Sequence, residues 1–118
     1  MKWSDLERIP YLNAVVTEGL RLAPGQATRA ARIAPDRELV YQQTDEQQGQ
    51  VVREWIIPRN TPVSMTVLLM HMDPKVYPDP HRFEPERWLR MNPDVRKRVE
   101  ARSFGPFSRG TRNCLGLQ

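Results

Sequence analysis

The clearest periodic stretch runs from Tyr11 to Leu22, where Leu12, Val15, Val16, Leu20 and Leu22 fall close to one helical stripe. Pro10 suits a first helical turn, where its missing N–H costs nothing. Pro24 and Gly25 then stop the helix. The spacing predicts a helix over Pro10–Leu22. Ahead of it, Ser4, Asp5, Leu6 and Glu7 fit a capping box, which predicts a short helical turn starting at Ser4. Residues 26–57 change to an extended pattern. Strands are expected at 27–33, at 38–41 and over Val51–Ile57, the last pairing back on the second. The glutamine-rich 42–50 segment reads as a long exposed hairpin loop. Residues 58–62, bounded by two prolines, form a turn. Residues 63–72 are continuously apolar and predict a brief strand followed by a short buried helix.

Four prolines, Pro74, Pro78, Pro80 and Pro85, punctuate residues 73–88 and exclude one regular element there. Residues 89–102 are charged, with an exposed helix expected over 93–101. The fold class is therefore mainly α with small β-sheet pieces, α+β. At 118 residues the chain is one domain at most, or part of one. Composition adds limits. Hydrophobic residues make up 39% and mean hydropathy is −0.64, so the core is modest. Eighteen basic residues against 14 acidic give a net charge of +4, dispersed over the chain as on a solvated surface. No basic stripe with interleaved aromatics appears, so no nucleic-acid partner is expected. The single cysteine excludes an internal disulfide and an all-cysteine metal cage, and it fits a reducing compartment. No apolar run approaches the ~20 residues that span a bilayer. The N-terminus has no signal-peptide core, so this chain by itself is expected to be soluble.

Chemistry concentrates near the C-terminus. Cys114 lies in Phe-Gly-Pro-Phe-Ser-Arg-Gly-Thr-Arg-Asn-Cys-Leu-Gly, residues 104–116, among Gly105, Gly110 and Gly116 and beside Arg109 and Arg112. A lone cysteine is most often a small buried hydrophobe. Cationic neighbours and tight glycine turns suit a presented thiolate better. Nucleophilic catalysis wants a basic histidine alongside, and none stands nearby in sequence. Ligation of a metal whose other ligands come from a cofactor fits better, haem iron held by cysteine being one such site. Elsewhere, Glu18 and Arg21 share a helical face at a spacing of three. They read either as a solvated ion pair or as a buried bidentate pair that needs a further partner for its remaining charge. Arg87 reads as a surface arginine lying over Trp88. His71 and His81, not in ligand spacing, read as structural or surface residues. Met65, Met70 and Met72 read as packing.

Together these residues resemble the cytochrome P-450 family. Phe107 to Gly116, Phe-Ser-Arg-Gly-Thr-Arg-Asn-Cys-Leu-Gly, is similar to its haem-binding signature Phe-x-x-Gly-x-Arg-x-Cys-x-Gly, with every defining position filled. Glu18-Gly-Leu-Arg21 is similar to the Glu-x-x-Arg of its K helix, and Phe83 to Trp88 to its Pro-Glu-Arg-Phe/Trp segment. The three occur in the family's order, and the wording around Pro10 to Leu22 is similar to fungal biosynthetic members. The resemblance implies haem b (iron protoporphyrin IX) with Cys114 as axial thiolate, a donor that favours O–O cleavage. It implies Arg112 and, on a strand, Arg32 as partners of the haem propionates. Phe107 would pack near the sulfur, and amides beyond Gly110 would hydrogen-bond it. Glu18, Arg21 and Arg87 would form a structural ionic lock between K helix and meander, and residues 23–28 would line the substrate pocket.

The implied activity is a monooxygenase that inserts one atom of O2 into a small apolar organic substrate in secondary metabolism, with electrons from an NADPH-dependent reductase. A non-catalytic haem-binding fragment and a haem-thiolate isomerase or dehydratase are the alternatives. The family continues past Gln118 and ahead of Met1. The chain therefore reads as a C-terminal portion truncated at both ends, inactive by itself, with residues 10–22 as K helix, 26–64 as strands, 65–72 as a short helix, 73–103 as meander and 104–118 as cysteine loop. The parent would sit at the endoplasmic reticulum membrane through an anchor absent here.

Overall fold

The computed structural model describes residues 2–23, 29, 31–45, 48–110 and 113–117. The chain divides into two compact units, residues 1–28 with 66–118, and residues 29–65.

In the first unit, α1 covers Trp3–Glu7 and α2 covers Pro10–Leu22. The capping expectation at Ser4 fails by two residues. Lys2 is the N-cap, its backbone N–H donates to Asp5 Oδ2 at 2.9 Å, and Ser4 lies inside the helix. A carboxylate three residues into a helix captures an orphan amide as well as Glu7 would have done. α2 has the bounds that its flanking prolines mark, but its buried face is not the apolar stripe. Ala14, Glu18 and Arg21, spaced by four and three, are the buried residues, whereas Leu12 and Val16 are exposed.

Thr66 caps α3, Val67–His71, its hydroxyl accepting the Leu68 amide at 3.3 Å. The helix is not buried as its apolar sequence suggests: only His71 is enclosed, and Leu69 is 61% exposed. A further helix, α4 over Glu86–Arg90, starts from Pro85 and was not legible, because five residues are too few to show a period. α5 runs Pro93–Arg102, one residue longer than expected at its end, with the Asn92 side chain accepting the Asp94 amide at 2.9 Å. None of its residues is buried. Leu115–Leu117 form a closing 3-10 turn.

α2 packs against α4 and α1 against α2. Among the described residues, Ala14, Tyr77 and Trp88 form the buried hydrophobic cluster, flanked by Val76, Met91, Val99 and Phe104. The rings connect: Tyr77 and Trp88 lie 5.8 Å apart, Trp88 meets Phe104 edge-on at 5.3 Å, and Phe104 stacks on His71 at 5.3 Å. So small an apolar core leaves much of the interior to polar groups, and Glu18, Arg21, His71 and Arg87 are buried beside it.

The second unit is built on an antiparallel hairpin, β1 Leu39–Thr44 and β2 Val51–Ile57, with Leu39 opposite Ile57 and Tyr41 opposite Trp55. Tyr41 and Trp55 touch across the strands, centroids 5.3 Å apart, the cross-strand aromatic pairing that stabilises a two-stranded ribbon. β1 continues into the glutamines, so Gln42, Gln43 and Thr44 belong to the strand and not to a loop starting at 42. The reason is a polar cross-strand pair: Gln42 Nε2 donates to Glu54 Oε2 at 2.7 Å. Gly49, at φ +67°, takes the left-handed turn that closes the hairpin. Of the strand expected at 27–33, residues 27, 28 and 30 lie outside the described residues. Arg32 forms an isolated antiparallel bridge with Val63, and the strand expected to open at 63 reduces to that bridge.

Candidate functional site

The first feature is a buried charge cluster. Glu18 is on α2, one turn before its end, and accepts five hydrogen bonds. Arg21 donates two, from Nε at 2.9 Å and from Nη2 at 2.8 Å. Arg87 Nε donates one at 2.9 Å, the Glu84 amide one at 3.1 Å, and Trp88 Nε1 one at 2.8 Å. The pair at 18 and 21 is thus the buried bidentate form and not the solvated one. Arg87 is likewise buried, and the guanidinium over the Trp88 ring is that of Arg96, 6.0 Å from its centroid.

Two guanidiniums meet the Glu18 carboxylate, with the Glu84 carboxylate 3.5 Å from Arg87 Nη2, and their remaining N–H groups need acceptors. Backbone carbonyls supply them. Arg21 Nη1 donates to the carbonyls of His71, at 2.8 Å, and Pro80, at 2.7 Å. Arg87 Nη1 donates to the Pro78 carbonyl at 2.7 Å and Nη2 to that of Asp79 at 3.3 Å. Both arginines reach the Arg82 carbonyl at 3.3 Å. This explains the prolines of 73–88: Pro78 and Pro80 turn carbonyls inward and bring no N–H that would need a partner of its own. Among the described residues no buried side-chain nitrogen or oxygen lacks a partner. Burial works to raise the Glu18 carboxyl, but the Arg21 hydrogen bonds, the Glu84 amide, Trp88 and the Arg21 charge outweigh it and bring the pKa down to about 2.

The second feature is the loop that carries Cys114. Ser108, at φ +62°, and Gly110, at φ +80°, give it two left-handed turns; a glycine takes that conformation freely, and at Ser108 the fold imposes it. The Ser108 amide donates to the Gly105 carbonyl at 3.1 Å, and the Cys114 amide returns to the Phe107 carbonyl at 2.9 Å. Arg109 ties the loop to the end of α5, donating to the carbonyls of Ala101 and Phe104, each at 2.6 Å, and to that of Glu100. Sequence reading counted Arg109 as a nearby cation and missed this capping role, which a lone arginine just past a helix end suggests. Cys114 is free and exposed.

The donor set can be tested against haem. Among the described residues no group of three or more His, Cys, Asp and Glu side chains could hold a metal by itself. Cys114 is one exposed thiol on a loop tied by its own amide, and a single cysteine thiolate is a donor that haem iron can take from a protein. Phe107, Gly110 and Cys114 share this loop. Arg112 lies outside the described residues. Arg32 belongs to the other unit, where its Nη1 donates to the Ala31 carbonyl at 3.2 Å. Of the stretch 23–28, only Ala23 is described.

The family profile described as "Cytochrome P450" matches residues 1–118, and the chain belongs to that family, a family built around a haem cofactor. It is 44% identical over 116 residues to "Fusicoccadiene C-8 hydroxylase" of Phomopsis amygdali, covering 98% of this chain and 19% of that protein. It is 47% identical to "Cytochrome P450 monooxygenase tndB" of Aspergillus flavipes, covering 98% and 21%. Among solved structures it is similar to "Retinoic acid bound cyanobacterial CYP120A1", at a TM-score of 0.60 and 30% identity, covering 98% of this chain and 24% of that one. The chain thus spans about a fifth of the length of these relatives, and its fold is part of the P450 fold. No helix among the described residues is long and apolar enough to cross a membrane.

Proposed function

We propose that this chain is the haem-ligating part of a haem-thiolate monooxygenase. The observation that carries the reading is Cys114, an exposed thiol whose loop is closed by its own amide and bent at Gly110, in a chain of this family. Cys114 would supply the thiolate that holds the haem iron, and Arg112 would hold a haem propionate through charge-assisted hydrogen bonds. Phe107 would pack near the sulfur, and hydrogen bonds from amides beyond Gly110 would tune it as a donor. Glu18, Arg21 and Arg87 hold the segment of residues 78–88 against α2, so that the cysteine loop keeps its shape. When bound, haem supplies O2 activation, and one oxygen atom enters a small apolar organic substrate of secondary metabolism. The relative named a C-8 hydroxylase supports this reaction class. An NADPH-dependent reductase supplies electrons, and the whole protein works at the endoplasmic reticulum membrane, a placement that rests on family kinship.

The test is spectral. The full-length protein, reduced and exposed to carbon monoxide, is expected to give a thiolate-type Soret band, and Cys114→Ala to lose it. A thiolate band that persists in the variant overturns the ligand assignment.

A further inference from the structure

His71 is enclosed in the interior, and neither the charge cluster nor the thiol uses it as a ligand. It nevertheless touches both features. Its Nδ1 lies 2.9 Å from the Arg21 carbonyl, and its Nε2 lies 3.1 Å from the Gly105 amide nitrogen. An amide N–H can only donate, so Nε2 must be the acceptor. A carbonyl can only accept, so Nδ1 must carry the proton. The two contacts together admit one protonation state, the neutral Nδ1–H imidazole.

The Arg21 contact is also reciprocal. Arg21 Nη1 donates to the His71 carbonyl, so side chain meets backbone in both directions and the ends of α2 and α3 are doubly tied. Beyond Gly105 the connection runs on. The Gly105 carbonyl accepts the Ser108 amide, and the Phe107 carbonyl inside that turn accepts the Cys114 amide. The same imidazole stacks on Phe104, which meets Trp88, which donates to Glu18. Contacts therefore close a ring from Glu18 through Arg21, His71, Phe104 and Trp88 back to Glu18, and Gly105 hangs from it.

We propose that His71 is the positioning residue that transmits the geometry of the Glu18–Arg21–Arg87 cluster to the cysteine loop, as a neutral imidazole that donates to the Arg21 carbonyl and accepts the Gly105 amide. Burial, which lowers the imidazole pKa, keeps it neutral against the opposing pull of the Arg21 carbonyl, and the Arg21 charge adds to the lowering. The consequence for Cys114 rests on the ligand reading above; the anchoring of Gly105 does not.

Three variants of the full-length protein separate the two contacts. His71→Gln keeps an acceptor in reach of Gly105, His71→Asn keeps a donor toward Arg21 and loses Gly105, and His71→Phe keeps the stacked ring and loses both. Hydrogen exchange of the Gly105 backbone amide, read by mass spectrometry, is expected to quicken about tenfold in His71→Asn and His71→Phe and to stay near the parent rate in His71→Gln. The reduced carbon monoxide complexes of the first two are expected to shift in part from the thiolate-type to the thiol-type Soret band, with His71→Gln restoring it. Parent-like exchange in His71→Asn, or equal behaviour of Asn and Gln, overturns the proposal. Independently of any variant, the ring nitrogen-15 shifts of His71 in the parent protein are expected to report Nδ1–H at neutral pH, and an Nε2–H or doubly protonated ring overturns it. Cys114→Ala distinguishes the two readings. If it keeps the thiolate band, the ligand assignment fails while the exchange result still decides His71. If it loses the band while His71→Asn exchanges like the parent, only the His71 proposal fails.

Discussion

Glu18 occupies a helical face that an apolar residue would ordinarily fill, and the surrounding donors make that possible. A buried carboxylate is costly unless nearly all its acceptor capacity is used, and here five donors converge on it. The least obvious of them is the Trp88 indole, a residue that reads from sequence as an aromatic neighbour of Arg87. Trp88→Phe keeps a ring against Tyr77 and Phe104 and removes the N–H donated to Glu18 Oε2. It is expected to cost about 1.5–3 kcal/mol, the range for a hydrogen bond to a charged group. The check is the urea midpoint of the full-length protein, and an unmoved midpoint would mean that the indole N–H adds nothing to the cluster. His71 teaches the same lesson. A single titratable side chain inside the apolar run 63–72 is a signal that it has buried partners, but which carbonyl and which amide it meets is not written locally.

Among elements, α2 and α4 are joined by Arg87 and Trp88, which both donate to Glu18, and by Tyr11, which donates to Glu86. Arg87 Nε meets Glu18 while its two terminal nitrogens reach the carbonyls of Pro78, Asp79 and Arg82. A planar fork makes these contacts simultaneously and a lysine ammonium cannot. Arg87→Lys is therefore expected to behave much like Arg87→Ala, with a loss on the order of 3–5 kcal/mol, the cost of breaking a buried ion pair, and failure to incorporate haem. Normal holoprotein yield from Arg87→Lys would show that charge alone suffices there. Proline and charge patterns made α2 and α5 legible, each within a residue of its bounds. α4 was not legible: it is five residues long, and the contacts that bury Arg87 and Trp88 come from Glu18, 70 residues before Trp88 in the chain.

For the whole molecule, the cluster sets a dependence on acidity. The folded-state pKa of Glu18 is lowered from 4.5 to about 2, so as pH falls the unfolded chain takes up its proton first. The stabilisation is complete above about pH 4.5 and is lost as pH falls toward 2, and it amounts to on the order of 3 kcal/mol. Unfolding free energy measured from pH 5 to pH 2 is expected to fall steeply in the parent and more gently in Glu18→Gln, which starts lower. Parallel curves for the two would remove Glu18 as the titrating group.

The sequence alone determined that one thiol stands in a glycine-bent loop, that a helix bounded by prolines carries Glu18 and Arg21, and that residues 73–88 cannot be one regular element. These follow from local sterics, from the fixed φ of proline and from the conformational freedom of glycine. Only the tertiary structure decided that α2 buries its charged face, that carbonyls of the proline segment accept the remaining guanidinium N–H groups, and that His71 joins this cluster to Gly105. Those outcomes depend on desolvation balanced by partners far along the chain, and a carboxylate bears no local mark of whether five donors will arrive to meet it.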